Sequence, residues 1–230
     1  MKKYLWWIVA VIGIIVVIFA VMIPGKTEKP REEDLKGVDY TVEGNVTTLS
    51  QYDTENPVVA LYIKNYGSVV IELYPSVAPN TVNNFISLVK NGFYDHNTFH
   101  RLMPGFVLQG GDPTGTGTGD PGYKIKGEFT NNGFTNNLKH TKGIVSMARG
   151  SYSMDSAGSQ FFIMLGTADY LDGDYAAFGK VIDGMDLVEA IEKNERVADA
   201  SSGQLQTNLT LEKAMVDLKG KEYPEVEKMS

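Results

Sequence analysis

An arginine and a glutamine in an otherwise apolar segment are the first candidates for chemistry in this sequence. They lie in the stretch Phe99-His100-Arg101-Leu102-Met103-Pro104-Gly105-Phe106-Val107-Leu108-Gln109-Gly110-Gly111-Asp112. A guanidinium among apolar neighbours needs polar partners, so Arg101 either forms a salt bridge with a carboxylate or serves a function. On a strand, Gln109 would share a face with Val107. Taken alone, it is better explained as a core amide that is satisfied by the backbone.

The composition excludes several other kinds of chemistry. The chain has 230 residues, a net charge of −7 and no cysteine. Thiolate nucleophiles, disulfides and cysteine metal ligands are therefore absent, and an acidic protein without a basic patch does not suit nucleic acid. The three histidines, His96, His100 and His140, are too scattered for a zinc site, and we interpret His100 and His140 as hydrogen-bonded structural residues. We predict no metal, no cofactor and no nucleic-acid partner.

Two further motifs carry less weight. The stretch Gly115-Thr116-Gly117-Thr118-Gly119 could cradle a phosphate, but no strand–loop–helix pattern or G-K-[ST] sequence accompanies it, so a surface loop is the better interpretation. Ser159 and His140 could join an aspartate in a hydrolase triad. No nucleophile-elbow sequence supports that triad.

The N-terminus predicts a membrane anchor. After Met1-Lys2-Lys3, residues 4–23 run without a charge, and about 20 helical residues match a hydrocarbon core of roughly 30 Å. Trp6 and Trp7 lie where an interfacial aromatic belt is expected. A cleaved signal peptide is the alternative, but its apolar stretch is shorter and ends in a small-residue site that this run lacks. We expect a single-pass anchor in the cell membrane, a cytoplasmic stub at residues 1–3 and an extracytoplasmic domain.

Beyond the anchor the pattern changes twice. Residues 24–56 are charged and polar, which is typical of a linker, but residues 39–51 show some strand-like alternation and part of them is expected to dock on the domain. Residues 57–218 are globular, and residues 219–230 form a polar tail. Hydrophobic periodicity predicts helices at 78–91 and 185–193. It predicts strands at 58–63, 69–74, 106–109, 143–147, 161–165, 177–181 and 209–218. Many short strands with Gly-rich connections and two helices indicate an antiparallel β-barrel.

The segment around Arg101 closely resembles the signature of the cyclophilin family of peptidyl-prolyl cis/trans isomerases. The resemblance continues, in the order of that family, through Leu138-Lys139-His140-Thr141-Lys142-Gly143-Ile144-Val145-Ser146-Met147-Ala148, Gly158-Ser159-Gln160-Phe161-Phe162-Ile163, Tyr170-Leu171-Asp172-Gly173 and Ala177-Phe178-Gly179-Lys180-Val181. It implies a mainly β protein, with a closed eight-stranded antiparallel barrel and two capping helices after the transmembrane helix. It also implies isomerase activity on proline-containing polypeptides.

The resemblance assigns roles to individual residues. Arg101, Phe106 and Gln109 form the catalytic group, in which Arg101 donates a hydrogen bond to the prolyl nitrogen. Residues matching the proline pocket and peptide groove are Val107, Ala148, Arg149, Phe162, Tyr170, Leu171 and Tyr175. Rotation about an X-Pro bond has a barrier of about 18–20 kcal/mol. A donor and an apolar slot that favour the twisted bond suffice to lower it, without a nucleophile or metal.

Two departures from many eukaryotic members matter for ligands. Tyr170 stands where they carry tryptophan, and Tyr175 stands where they carry a pocket histidine, as in bacterial-like members of the family. The missing indole donor predicts weak cyclosporin binding. Two other functions stay open, namely a proline-peptide-binding chaperone with incidental catalysis and a membrane-tethered scaffold that uses the linker or the tail.

Overall fold

The computed structural model describes residues 40–42 and 45–229. Its helices are α1 (Pro79–Lys90) and α2 (Met185–Asn194). Its strands are β1 (Tyr40–Val42), β2 (Asn45–Thr47), β3 (Val58–Ile63), β4 (Gly67–Leu73), β5 (Asn97–Met103), β6 (Val107–Asp112), β7 (Ile144–Met147), β8 (Phe161–Met164), β9 (Ala177–Asp183), β10 (Val197–Asp199) and β11 (Gln204–Asp217).

Eight strands close into an antiparallel barrel. The order of neighbours is β11-β3-β4-β9-β7-β8-β6-β5, and β5 pairs again with β11. β10 extends this sheet by pairing with β11, while β1 and β2 pair with each other. Closure leaves none of the eight strands with a free edge. The predicted barrel is confirmed.

The prediction missed β5 and β10, and it placed the start of the last strand at residue 209 rather than at Gln204. β5 was missed because its pairing with β6 shifts register between Thr98 and Phe99 and again between Phe99 and Arg101. Such irregularities interrupt the alternation of buried and exposed residues on which strand prediction depends.

A single apolar core fills the barrel and includes one face of each helix. Phe85 of α1 lies 5.1–5.2 Å, ring centroid to centroid, from Tyr94, Phe161 and Phe178. Val188 and Ile191 of α2 belong to the same core cluster. The aromatic rings meet at tilted or edge-to-face angles, which are the favoured arrangements for such pairs.

The segment that precedes β3 packs against the outside of the barrel. Leu49 is buried in a small apolar cluster with Val58, Ala60 and Val70. The Lys219 Nζ atom donates hydrogen bonds to the backbone carbonyls of Leu49 and Tyr52, at 3.1 and 2.9 Å. The predicted domain boundary at residue 57 therefore falls inside a packed contact.

The segment predicted as a polar tail also lies on the domain. Tyr223 and Val226 pack against the main core. Met229 exchanges two backbone hydrogen bonds with Lys124, at 2.8 and 3.3 Å. Within residues 219–229, the chain thus continues the folded domain.

No helix in the described part of the chain is long and apolar enough to cross a bilayer. The predicted anchor at residues 4–23 lies outside that part, as does most of the predicted linker.

Candidate active site

The site is built on a row of residues that crosses four neighbouring strands. Arg101 of β5 pairs with Gln109 of β6, Gln109 pairs with Phe162 of β8, and Phe162 pairs with Ser146 of β7. Directly paired residues have Cβ atoms about 4.5–5.5 Å apart and point to the same face of a sheet. The register alone therefore brings a guanidinium, an amide and an aromatic ring side by side.

The row lies on the outer face of the barrel. Leu108, Ile163 and Val145, which alternate with its members, belong to the interior core. Outside, a second apolar cluster has the buried members Val107, Ile144, Phe162, Met164, Ala168, Leu171 and Ala177, with Met103, Phe106, Leu138, Ala148 and Tyr175 packed on them. This outer cluster supplies an apolar slot beside Arg101 and Gln109.

The guanidinium of Arg101 is held at two of its nitrogens. Its Nε donates to the backbone carbonyl of Ser202 at 2.8 Å, and its Nη1 donates to Gln109 Oε1 at 3.0 Å. Of the five N–H groups of an arginine, the other three have no partner among the described residues. Partial burial lowers the pKa of Arg101, against an opposing effect of Tyr175 and Tyr170, but a guanidinium stays protonated in a protein.

The salt bridge left open by the sequence is not formed, because no carboxylate in the described part of the chain pairs with Arg101. Gln109 is not a core amide satisfied by the backbone either. It accepts from Arg101, and its Nε2 donates to Gln160 Oε1 at 3.0 Å. Gln109 therefore connects the charged group to the next part of the groove.

A cleft of about 300 Å³ continues from Gln109 along the surface. Its lining includes Ala148, Arg149, Gln160 and residues 117–120. Gln160 binds the Gly-rich segment, because its Nε2 donates to the carbonyls of Gly117 and Gly119 at 3.0 and 2.9 Å. An extended peptide could run from the apolar slot into this cleft.

The Gly-rich loop at residues 115–119 surrounds an anion of the protein itself, the carboxylate of Asp112. The carboxylate of Asp112 accepts hydrogen bonds from the backbone N–H groups of Thr114, Thr116 and Gly117. Burial alone would raise the pKa of Asp112, but hydrogen bonds from Thr114, Gly119 and Gly117 outweigh it and lower the pKa to about 2. These N–H groups are thus occupied, which supports the interpretation as a surface loop.

A Ser-His-Asp arrangement does occur around His140, but with Ser146 rather than Ser159 as its serine. His140 Nδ1 lies 2.9 Å from Asp172 Oδ1, and His140 Nε2 lies 3.0 Å from Ser146 Oγ. Ser146 is fully buried and His140 is 1% exposed, so a substrate carbonyl cannot reach the hydroxyl. The His140 ring stacks under Phe162 at 6.1 Å between centroids, and the arrangement supports the floor of the apolar slot.

The two other candidates from the sequence behave differently. Ser159 Oγ donates to the backbone carbonyl of Gly111 at 2.7 Å and has a structural role. His140 is hydrogen-bonded as predicted, whereas His100 is not, because neither of its ring nitrogens has a partner among the described residues. Its ring is 6% exposed, and burial lowers its pKa although Asp112 opposes that effect. The prediction for His100 was wrong.

Three aromatic and cationic side chains border the slot. The Tyr175 ring packs edge-on against Phe162 at 5.9 Å between centroids. The Arg149 guanidinium lies 4.8 Å from the Tyr175 ring centroid and donates to the carbonyl of Asp174 at 2.9 Å. Tyr170 is 71% exposed, with its ring 6.0 Å from that of Phe106. Tyr175 is therefore fixed by its neighbours, while Tyr170 stands at the rim.

All ten residues singled out from the sequence lie around the slot and the cleft. The chain brings them together from β5, β6, β8 and the connections after β5, β7 and β8. Sequence reasoning missed Met103, Gln160, Ser146 and Ser202. The first three lie within the segments that carry the family resemblance and could have been found there. Ser202 contributes a backbone carbonyl, which no residue type reveals.

Comparisons with known proteins agree with this geometry. The family described as cyclophilin type peptidyl-prolyl cis-trans isomerase/CLD matches residues 58–216. Peptidyl-prolyl cis-trans isomerase B of Bacillus subtilis is 44% identical over 133 residues, which are 58% of this chain and 89% of the relative. The peptidyl-prolyl cis-trans isomerase of Helicobacter pylori is 41% identical over 133 residues, 57% of this chain and 78% of the relative.

A solved structure extends the comparison. It is a cyclophilin type peptidyl-prolyl cis-trans isomerase of Cryptosporidium parvum, determined in the presence of the dipeptide Ala-Pro. It is 34% identical, with a TM-score of 0.62, and the match covers 98% of that chain and 70% of this one. With the barrel, the outer slot and the arginine beside it, the chain belongs to the cyclophilin type peptidyl-prolyl cis-trans isomerase family. It is an enzyme that rotates X-Pro bonds.

Proposed function

We propose that Arg101 lowers the rotation barrier by donating a hydrogen bond to the prolyl nitrogen of a bound polypeptide. The planar X-Pro bond is stabilised because the nitrogen shares its lone pair with the carbonyl. As the bond twists, the lone pair localises on nitrogen and becomes a better acceptor. A fixed donor therefore stabilises the twisted bond more than either planar isomer, which is the condition for catalysis.

One observation carries this proposal, namely the direct pairing of Arg101 with Gln109 and of Gln109 with Phe162 across adjacent strands. The apolar slot formed by Phe106, Val107, Phe162 and Leu171 would hold the proline ring. The three remaining N–H groups of Arg101 would then be available to the bond, because Gln109 and Ser202 occupy only two of its five. Ala-Pro in the related Cryptosporidium parvum structure supports proline as the ligand of this slot.

Gln109, Ala148 and Arg149 would hold the polypeptide on the side of the cleft. The Arg149 side chain is already engaged by Tyr175 and the Asp174 carbonyl. We therefore assign the recognition at 148–149 to the backbone, which suits a site that must accept many sequences around the proline.

The test is a proline-isomerisation assay on an Ala-Pro tetrapeptide, with Arg101→Ala compared with the wild type. We expect Arg101→Ala to lose at least about 100-fold in kcat/KM, roughly 2.7 kcal/mol of transition-state stabilisation, while peptide binding is largely retained. Arg196→Ala is the matched control, because Arg196 is exposed and lies outside the site. An Arg101→Ala enzyme within twofold of the wild type would contradict the proposal.

We further propose that the enzyme assists the folding of proteins outside the cell membrane, with residues 4–23 in the bilayer. The uncharged run after Lys2 and Lys3 supports this topology. Protease added to intact protoplasts should digest the domain, and the cell-associated protein should begin near Met1. A mature N-terminus after about residue 23 would indicate a secreted protein instead.

A further inference from the structure

The turn between β10 and β11 contacts the catalytic arginine through its backbone. The carbonyl of Ser202 accepts the Arg101 Nε hydrogen bond at 2.8 Å, and Gln109 accepts from Nη1 at 3.0 Å. Because a guanidinium is planar, two fixed nitrogens determine the directions of all its other N–H groups. The orientation of one peptide carbonyl therefore helps to set where the free donors of Arg101 point.

That turn is organised around the carboxylate of Asp199. Its Oδ1 accepts from the backbone N–H of Ser201 at 2.9 Å, and the Ser201 hydroxyl donates to both of its oxygens, at 2.8 and 3.0 Å. The Ser202 hydroxyl donates to Oδ2 at 3.0 Å. Asp199 thus contacts both Ser201 and Ser202, the two residues before the Ser202–Gly203 peptide that carries the carbonyl, and it restrains the rotation of that segment.

A second contact fixes where the turn lies on β5. The backbone N–H of Leu102 donates to the Gly203 carbonyl at 2.8 Å. Gly203 has a φ of +75°, and a Cβ atom there would come within 2.8 Å of the Leu102 carbonyl oxygen. Gly203 therefore holds the turn against the strand that carries Arg101, independently of the Asp199 carboxylate.

We propose that Asp199 is a positioning residue of the isomerase, which orients the guanidinium of Arg101 through the Ser202 carbonyl. This inference rests on the proposed role of Arg101. Asp199 is exposed and is separated from Arg101 by the turn. Its removal should therefore weaken catalysis by letting Arg101 reorient, while the contact at Gly203 keeps the hairpin in place.

The test is a double-mutant cycle on the full chain with Asp199→Ala, Arg101→Ala and the double variant. We expect Asp199→Ala to lower kcat roughly three- to tenfold with little change in KM, as for the loss of one oriented hydrogen bond. The same change should have no effect in the Arg101→Ala background. Asp199→Asn keeps one acceptor oxygen and should restore part of the activity. Asp53→Ala, which removes an exposed carboxylate elsewhere, is the control for charge.

A second readout separates this inference from the proposed function. The ¹⁵N-resolved NMR signal of the Arg101 Nε–H group should shift in Asp199→Ala and return toward the wild-type position in Asp199→Asn. An unchanged signal and unchanged kcat, beside an inactive Arg101→Ala, would overturn the inference alone, as would equal losses in both backgrounds. A fully active Arg101→Ala would instead refute the proposed function and the catalytic part of the inference. If Asp199→Ala does not fold, the same comparisons of kcat and of the Arg101 Nε–H signal are made with Asp199→Asn, and they decide the inference.

Discussion

The hydrogen bonds at Arg101 both satisfy a half-buried cation and orient its remaining donors. A half-buried cation needs hydrogen-bond acceptors, and a catalyst needs donors that are already oriented. Ser202 and Gln109 supply the two acceptors, and by fixing the Nε–H group and one Nη1–H group they leave the other three N–H groups in a defined direction. Holding an arginine without neutralising it by a carboxylate keeps those groups available for a ligand.

The rim residue Tyr170 should control sensitivity to cyclosporin. Family resemblance places a tryptophan here in sensitive members, and Tyr170 lacks the indole N–H. One lost buried hydrogen bond costs about 0.5–1.5 kcal/mol, up to about tenfold in affinity. Tyr170→Trp should therefore lower the inhibition constant at least severalfold, measured in the isomerase assay, with uninhibited kcat/KM as the control. Nanomolar inhibition of the wild type would show that the tyrosine is no obstacle.

The sequence was sufficient to place residues that contribute side chains to the candidate site. Arg101, Gln109 and Phe162 were assigned from the segments in which they stand, and the register brings them together. Ser202 could not be assigned, because its contribution is a carbonyl that depends on tertiary contact between a distant turn and β5. His100 was wrongly predicted for a related reason, since burial without a partner depends on what packs above it.

Among the elements, the Gly-rich loop after β6 depends on one carboxylate. The pKa of Asp112 is about 2 in the folded protein, below the value of about 3.9 expected for an unfolded chain. The unfolded state therefore binds more protons between these values. The contribution of Asp112 to stability is complete above about pH 5 and is lost as the pH falls toward 2.

Asp112→Asn should remove that pH dependence. At pH 7 the variant should be less stable than the wild type, because an amide cannot accept at both positions that receive the Thr114, Thr116 and Gly117 N–H groups. The difference between the two proteins should shrink between pH 5 and 2.5, measured by urea unfolding. Asp53→Asn should show no such convergence. A constant difference across this range would contradict the role assigned to Asp112.

Element boundaries were predictable where the chain is regular. β3 was predicted at its observed bounds because its pairing with β4 is uninterrupted. β5, which carries Arg101, was missed because two register shifts disturb its alternation. Such irregularities concentrate beside functional sites, where they re-aim a side chain, so the least predictable strand is also the one that carries the catalytic candidate.

At the scale of the whole molecule, the segments that precede and follow the barrel strands in the sequence belong to the folded domain. Leu49 and Tyr52 pack on Val58, Ala60 and Val70. The Lys219 Nζ atom donates hydrogen bonds to the backbone carbonyls of Leu49 and Tyr52. The strand-like alternation at residues 39–51 indicated that part of this segment would dock on the domain. Its packing partners could not be predicted, because the composition of a polar segment with a few apolar residues does not identify them.

Truncation should distinguish a packed segment from a linker. Residues 45–230 and residues 57–230 should both isomerise X-Pro bonds, since the site lies within 101–202. The shorter protein should be less stable by about 2 kcal/mol, the order expected for uncovering one leucine site, or roughly 4–8 °C in Tm. Equal Tm values would mean that residues 45–56 contribute nothing to the fold. A folded but inactive shorter protein would show that the site depends on them.

The most direct test of the account is Arg101→Lys, with thermal unfolding and turnover measured on the same sample. A lysine keeps the charge but cannot reproduce the planar fork that Ser202 and Gln109 hold. We predict a Tm within about 2 °C of the wild type and a loss of about 100-fold in kcat/KM, roughly 2.7 kcal/mol. A large fall in Tm, with activity reduced only in proportion to the folded protein, would make Arg101 a structural residue. A stable variant with near-full activity would remove Arg101 from the mechanism.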